Sequence, residues 1–359
     1  MVEHRANSRN KIVNLLAVID QLVDEKGLSK ELLQSIVCEG MLAAYHKRYP
    51  GISLVVSYDS ASHTLLVEAN KKVVSLVEDE DLEISLRKAK AIRSDVELGE
   101  TVPVLFEKKI GRIEILKAKQ VVASRIKEIE ASSIYNQFKN KEGLIVQGAV
   151  HKVERVGILI KLQDHMAFLP KSLSIPGEKY LVGQPVRAIL KEVLAEPRGE
   201  NQLILDQKSN EFLKQLLSLE IPEVYDRLVE IKKIVRAVGY KSKVAVFSND
   251  PNIDPVGTCV GVGGARIKPV LKEIGGEKID IIKWSENQEE FIRDALKPAQ
   301  IDRVVLTGES KAMVWLDEDQ RSLAIGKMGQ NINLASQLTG VEIQLADKAR
   351  GPVKTVFGE

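Results

Sequence analysis

The feature that most constrains this chain of 359 residues is an internal repeat near its C-terminal end. Residues 257–268 read GTCVGVGGARIK, and residues 322–333 read SLAIGKMGQNIN. In each stretch an apolar segment breaks at a Gly-x-x-Gly motif, which starts at Gly261 or Gly326, and then resumes with helical spacing. Because self-similarity at a fixed period marks repeated folding units, the sequence predicts two copies of one small domain.

Both copies carry the same order of predicted elements. Apolar spacing predicts a helix, two strands, two helices and a final strand over residues 209–285 and again over residues 286–350. Both early strands precede the glycine motif, as in the type II KH domain, whose Gly-x-x-Gly loop clamps about four nucleotides. A tight turn between two helices is the alternative for either motif alone, but the duplication favours the KH interpretation. Since the segment from Trp284 to Phe291 is short, we expect the two units to pack rigidly into one RNA track.

Two other phosphate-binding motifs do not fit these glycines. A dinucleotide fingerprint needs a strand directly before GxGxxG, whereas Pro255 and Gly257 precede GVGGAR and Arg266 replaces the third glycine. A P-loop needs GxxxxGK followed by Ser or Thr, which neither segment contains. The sequence therefore predicts neither a dinucleotide-binding enzyme nor an ATPase.

The candidate RNA contacts are the two motifs and the polar side chains that follow them. Glycine lets the chain turn sharply and lets a phosphate approach bare N–H groups, and the next helix adds a favourable partial charge. Nearby cations and amides are placed to reach phosphate or base, although ordinary core packing is the alternative for the apolar members. The predicted RNA-binding residues are Gly261, Val262, Gly263, Gly264, Arg266 and Lys268 in the first copy, and Gly326, Lys327, Met328, Gly329, Gln330 and Asn331 in the second.

Residues 141–208 change to five short apolar runs separated by turn residues, which predicts a small closed barrel of OB-fold type. The pattern resembles the RNA-binding barrel of ribosomal and ribonuclease proteins, which holds single strands on a basic groove with stacked aromatics. Leu159 stands where that family often has an aromatic, so we expect a weak RNA grip, and a spacer with a filled core is the alternative. The candidate residues on the barrel are His151, Arg155, His165, Phe168 and Tyr180.

Residues 1–140 read as an α+β domain without recognisable chemistry. Apolar residues at helical spacing predict one helix over residues 10–26 and a second that Ser29 caps, followed by strands and a helix leading out. Basic residues at Lys47, Arg48, Lys108, Lys109 and Arg112 are candidates for a protein-binding surface, with ordinary solvated surface as the alternative. Residues 351–359 form a C-terminal tail.

Composition and scattered polar residues argue against an enzyme. The five histidines stand apart at positions 4, 46, 63, 151 and 165, and no catalytic triad, carboxylate pair or metal cluster is evident. We therefore predict no cofactor and no metal. No apolar stretch is long enough for a membrane helix, so a cytoplasmic protein without a membrane partner is expected.

Two stretches carry a close resemblance to a known family. They read NDPNIDPVGTCVGVGGARIKPVLKEIGGEKIDIIKW and LAIGKMGQNINLASQLTG, and they follow an α+β domain and an OB barrel in chain order. This arrangement resembles the bacterial NusA family of transcription termination and antitermination factors. The resemblance implies a multidomain α+β fold with an N-terminal domain, an OB-fold barrel and two tandem type II KH domains.

The resemblance also implies function and partners. Residues 1–140 would dock on RNA polymerase near its RNA exit channel, while the barrel and KH pair hold nascent single-stranded RNA, modulate pausing and join other antitermination factors. A monomer is expected. Some members carry acidic C-terminal repeats that regulate RNA access; this sequence has none, so that mode of autoinhibition is not implied. The alternatives are a ribosome-associated KH/OB protein and one associated with RNA decay, the latter needing catalytic domains for which the chain has no room.

Overall fold

The computed structural model describes residues 29–59, 62, 64–199, 201–308 and 310–347. The helix predicted over residues 10–26 and the tail at 351–359 lie outside the described residues. The chain forms two compact units, Met1–Ser133 and Ile134–Glu359.

The first unit is an α+β domain built on a four-stranded sheet. Its described elements, in chain order, are α1 (Lys30–Arg48), β1 (Leu54–Asp59), β2 (Thr64–Val74), β3 (Glu83–Ser85), α2 (Leu86–Ile92), β4 (Thr101–Leu105) and most of α3 (Arg112–Phe138). β2 pairs antiparallel with β1 and β4 and parallel with β3. The short β3 was not predicted, because three residues are too few to show a strand period.

Helix α1 begins and packs as its sequence predicts. The Oγ of Ser29 accepts a hydrogen bond from the amide of Leu32 at 3.3 Å, so the predicted cap is confirmed. Leu33, Ile36 and Val37 lie on one face of α1 and pack against Ile126 of α3. Apolar spacing on two sequence-distant helices therefore builds one part of this unit's core.

The second unit starts with a closed five-stranded barrel, as predicted. Its strands are β5 (Ile145–Val153), β6 (Gly157–Leu162), β7 (His165–Pro170), β8 (Pro185–Arg198) and β9 (Asn201–Asp206). They close in the order β5-β6-β7-β9-β8, which leaves no open edge. Alternate residues such as Ile158, Ile160 and Leu162 point into the filled interior.

Two units of one topology follow the barrel, and both predicted element orders are confirmed. The first KH unit contains α4 (Asn210–Glu220), α5 (Pro222–Tyr225), β10 (Glu230–Ala237), β11 (Lys241–Phe247), α6 (Pro255–Val260), α7 (Ile267–Glu273) and β12 (Lys278–Lys283). The second KH unit contains α8 (Gln288–Ala295), β13 (Arg303–Gly308), β14 (Lys311–Leu316), α9 (Glu318–Ile325), α10 (Gln330–Thr339) and β15 (Glu342–Asp347). In each sheet the central strand pairs antiparallel with the strand before it and parallel with the last strand. The short α5 was not predicted.

The two KH units share one apolar core. Val235, Ala245 and Ile282 on the sheet of the first unit belong to the same buried cluster as residues such as Phe291 and Leu334 of the second. A sheet face that would otherwise meet water is thus covered by the helices of the next unit. This packing agrees with the rigid pair expected from the short connection.

A buried ion pair ties the first KH unit to the end of the barrel. The guanidinium of Arg236 donates to both carboxylate oxygens of Glu277 at 2.9 Å, and the two side chains are 1% and 0% exposed. Nη1 of Arg236 also donates to the backbone oxygens of residues 207, 208 and 209, which lead out of β9. Removing either partner would leave a buried charge unpaired, at a cost of about 3–5 kcal/mol.

Candidate nucleic-acid interface

Each Gly-x-x-Gly motif forms the turn between the two helices of its unit. Gly261 ends α6 with φ 73° and ψ 166°, and Gly326 ends α9 with φ 71° and ψ 174°. This region of backbone space is open essentially to glycine alone. The first glycine of each motif is therefore required by the turn itself.

Close packing gives a second reason for the first glycine. A Cβ added at Gly261 would lie 2.9 Å from Cγ of Arg266, and one added at Gly326 would lie 2.7 Å from Cβ of Asn331. From the sequence, these glycines were expected for a sharp turn and for the approach of phosphate. The backbone angles agree with the sharp turn, and the packing adds a reason that the sequence did not show, because the atoms that exclude a side chain here belong to the protein.

The tips of both turns project into solvent. Val262 is 97% exposed and Met328 is 85% exposed, which is unusual for large apolar side chains. Gly263 and Met328 occupy the same place in the two turns, with φ 59° and 55°, so Met328 holds a left-handed conformation that normally favours glycine. Exposed apolar groups on a strained turn are typical of a binding site rather than of a packed core.

The two turns also present unused backbone donors. Within the described chain, the amides of Val262 and Gly263 in the first turn and of Lys327 and Met328 in the second donate to no protein acceptor. The following amides are satisfied, since Gly264 donates to Gly261 and Gly329 donates to Gly326. Consecutive free N–H groups at an exposed turn form a small concave site that suits an anion.

Cations lie beside both turns. The side chain of Lys268 runs back towards its turn, with Cε 3.6 Å from the position of a Cβ on Gly264. Lys327 is exposed on the second turn, and Gln330 is half-buried at the start of α10. These placements are compatible with the predicted phosphate and base contacts.

Arg266 is held differently from the prediction. Its Nη1 donates to the carboxylate of Glu223 at 2.8 Å and to the backbone oxygen of Thr258 at 3.0 Å. The guanidinium therefore binds α5 to the end of α6 beneath the turn. Its role in the described structure is to support the turn.

The structure does not agree with the RNA contact predicted for Asn331, because this residue is only 3% exposed. Its Nδ2 donates to the backbone oxygens of Leu296, Leu323 and Ala324 at 3.1–3.2 Å. A side chain enclosed in this way does not reach RNA. The sequence placed it next to an exposed motif but gave no sign that it points inward.

The structure separates His165 from Arg155 and Phe168 among the barrel candidates. Arg155 lies in the turn before β6, whereas His165 lies at the far end of the same hairpin and packs edge-on against Phe138 at 5.3 Å. His151 is exposed on β5, and Phe168 is half-buried on β7. A Cβ on Gly157 would lie 2.6 Å from Cζ of Phe168, so this ring lies close to the turn that carries Arg155, whereas His165 lies at the other end of β6.

Tyr180 is held by a hydrogen bond within the protein. Its hydroxyl donates to Oε1 of Gln207 at 2.6 Å, and burial raises the pKa of Tyr180 well above its usual range. The half-buried ring packs beside the barrel core, and its hydroxyl is held by the protein.

In the first unit, Tyr49 brings the two predicted basic groups together. The hydroxyl of Tyr49 donates to the backbone oxygen of Lys109 at 3.2 Å, and Nζ of Lys108 lies 5.9 Å from the ring centre. Tyr49 directly follows Lys47 and Arg48, which are exposed at the end of α1, and Arg112 is exposed at the start of α3. We call these five cations the basic cluster; Lys108 within it is also paired with Asp81.

Family comparisons agree with this architecture. Residues 14–132 match the model of the NusA N-terminal domain. Residues 207–284 match the NusA-like first KH domain, and residues 288–351 match the NusA-like second KH domain.

Whole-chain relatives decide the family. The transcription termination/antitermination protein NusA of Thermus thermophilus is 38% identical over 343 residues, which cover 92% of this chain and 88% of the relative. The chain belongs to the NusA family. The NusA proteins of Bacillus subtilis and Rickettsia conorii are each 36% identical, and the matches cover 92% and 93% of this chain and 90% and 67% of those proteins.

NusA membership confirms the resemblance seen in the sequence and the fold expected from it. The N-terminal α+β domain and the two KH domains occur in the predicted order, with the closed barrel between them. Among the described residues, no helix is both long and apolar enough to cross a membrane.

Proposed function

We propose that this NusA-family chain is a non-catalytic transcription factor that binds RNA polymerase and nascent single-stranded RNA, and thereby modulates pausing, intrinsic termination and antitermination. The RNA lies across both Gly-x-x-Gly turns. The protein works as a monomer in the cytoplasm, together with other antitermination factors.

The observation that carries the RNA part is the matched pair of exposed turns. Each turn offers two free backbone donors, a neighbouring lysine and an apolar tip, at Val262 or Met328. Free amides and lysines suit the phosphates of an RNA strand, and apolar side chains suit the faces of unpaired bases. Because the two KH units share a core, their turns are held at a fixed spacing and one strand can engage both.

The polymerase part rests on family membership and on the basic cluster of the first unit. Tyr49 ties the end of α1, with Lys47 and Arg48, to the segment that carries Lys108 and Lys109, and Arg112 follows at the start of α3. Such a cluster attracts an acidic surface by long-range electrostatics. We place the polymerase contact there, at the side of the enzyme where the transcript emerges.

Gly263→Asp tests the RNA interface directly. A Cβ at Gly263 would meet no atom within 4 Å, so the protein should stay folded while the new carboxylate repels phosphate. We expect RNA affinity to fall about tenfold, and each lost phosphate contact should flatten the dependence of log affinity on log salt by about 0.7. Lys327→Asp combined with Met328→Asp should do the same at the second turn.

The matched control is Gly276→Asp. Gly276 also has a positive φ of 82° and open space at its Cβ, but it lies beyond the other end of α7. The Gly276→Asp substitution adds the same charge about 10 Å farther along the helix. There we expect at most a twofold loss of RNA affinity. Equal losses in Gly263→Asp and Gly276→Asp, or an unchanged salt slope in Gly263→Asp, would contradict RNA binding at the turns.

Capture from a bacterial lysate tests the polymerase contact. Polymerase should remain bound after nuclease treatment, and a variant with Lys47, Arg48, Lys109 and Arg112 changed to Glu should lose it. Recovery of ribosomal subunits without polymerase would favour the ribosome-associated alternative. Shortening of labelled RNA by the purified protein with phosphate and magnesium would favour the decay alternative.

A further inference from the structure

The residue five positions after the first glycine supports the turn in both KH units. Arg266 donates to the backbone oxygen of Thr258, and Asn331 donates to that of Leu323. Thr258 and Leu323 occupy equivalent places, each three residues before its first glycine. Two unlike side chains thus make the same hydrogen bond beneath the two turns.

The second partner of each support differs between the units. Arg266 is held by Glu223, which belongs to the same unit. Asn331 accepts through Oδ1 a hydrogen bond from Nζ of Lys241 at 3.1 Å, and Lys241 opens β11 of the first KH unit. The second turn is therefore supported across the boundary between the units.

The chemistry of the neighbours fixes the orientation of the Asn331 amide. Three backbone oxygens can only accept hydrogen bonds, and an ammonium group can only donate them. Nδ2 must then face the oxygens of Leu296, Leu323 and Ala324, while Oδ1 faces Lys241. Without Lys241, Oδ1 would be a buried acceptor without a partner among the described residues.

Lys241 is itself held in place by charge. One oxygen of Asp280 lies 2.7 Å from Nζ of Lys241 and 2.8 Å from Nζ of Lys243. Lys243 is 0% exposed, and burial lowers its pKa although Asp280 favours the charged form. Since Lys241 is only 15% exposed, its ammonium group has little freedom to leave Asn331.

We propose that Lys241 is a positioning residue for RNA binding by the second KH unit, acting through Asn331 on the turn that starts at Gly326. The first KH unit thereby sets the shape of the glycine turn in the second KH unit as well as the shape of its own glycine turn. This inference rests on the proposed function, because it assigns the turn to RNA.

Lys241→Met tests the link, with Lys311→Met as the matched control. Lys311 opens β14 as Lys241 opens β11, and it loses the same charge, but its side chain is 59% exposed beside Glu342. Amide resonances of the free protein are recorded by NMR, followed by titration with an oligoadenylate of about five nucleotides, long enough for one KH groove. Melting curves identify loss of fold, in which case Lys241→Gln replaces Lys241→Met.

The expected result is specific to the second turn. In Lys241→Met, the amide resonances of Gly326, Lys327 and Gly329 should shift in the free protein. During the titration, these resonances should reach half-saturation at an RNA concentration about fivefold higher than in the wild type, equivalent to about 1 kcal/mol. The amides of Gly261, Gly263 and Gly264 should titrate as in the wild type. Lys241→Arg, which keeps the donor, should retain the wild-type titration at the second turn.

Three results would overturn the inference: unchanged resonances and titration at the second turn, equal weakening at both turns, or the same effect in Lys311→Met. A wild-type protein in which oligoadenylate moves neither turn would instead count against the proposed function. The free-protein resonances would still decide whether Lys241 shapes the second turn.

Discussion

The two KH units share one topology but stabilise their glycine turns in different ways. In the first KH unit the third residue of the motif, which has a left-handed conformation, is Gly263, and the support is a partly exposed pair between Arg266 and Glu223. In the second KH unit the third residue, also left-handed, is Met328, and the support is the buried Asn331. The repeated elements therefore preserve the shape of the turn, while the side chains that maintain it have diverged.

This difference shows which glycines the fold requires and which serve the surface. Gly261 and Gly326 are retained in both units because of their backbone angles and because a side chain packs against each. The position of Gly263 and Met328 tolerates a side chain, since it points into solvent. The first position is required by the packing of each KH unit, and the third lies on the exposed surface where we propose that RNA binds.

Replacing Gly326 by Ala should give the largest effect. The new Cβ would meet Cβ of Asn331 and force a backbone conformation that Ala rarely adopts, so we expect about 3 kcal/mol less free energy of unfolding. Gly263→Ala, at an open position, should lose only about 1 kcal/mol. Urea denaturation of both variants measures the difference in the free energy of unfolding. Equal losses would contradict the distinction between a packed glycine at 326 and an exposed one at 263.

Lys243→Met should give a smaller effect. Strand pairing places Lys243 opposite Val235, and the equivalent residue opposite Val305 in the second unit is Met313. Met fills a similar volume without the cost of burying a charge, and Asp280 keeps its pair with Lys241. We expect the free energy of unfolding to change by less than about 1 kcal/mol, measured by urea denaturation. A loss of several kcal/mol would show that the buried ammonium group is essential to the first unit.

Met328→Gly should give the smallest change in stability. It relieves the left-handed conformation of Met328 but makes the unfolded chain more flexible, so we expect a net gain of about 0.5 kcal/mol. RNA affinity should fall by about threefold, since an apolar contact to a base is lost. Calorimetry and RNA titration of the same variant separate these effects; an unchanged affinity would remove Met328 from the interface.

Much of the fold was predictable because its signals are local. The five barrel strands and the two six-element orders follow from apolar spacing interrupted by turn residues. The elements that were missed, β3 and α5, are too short to show a period. At the site, the sequence located both turns but could not separate Lys268, whose side chain lies along its turn, from Asn331, which is buried.

By itself, the sequence determined that this protein has two copies of a Gly-x-x-Gly unit after a barrel, since glycine spacing and helical period are properties of neighbouring residues. Tertiary structure decided what Arg266, Asn331 and Lys241 do. Lys241 and Asn331 are 90 positions apart, and their hydrogen bond exists only because the second KH unit packs on the sheet of the first KH unit. Burial and partners depend on that packing, so a polar side chain beside a binding motif can become part of the interior.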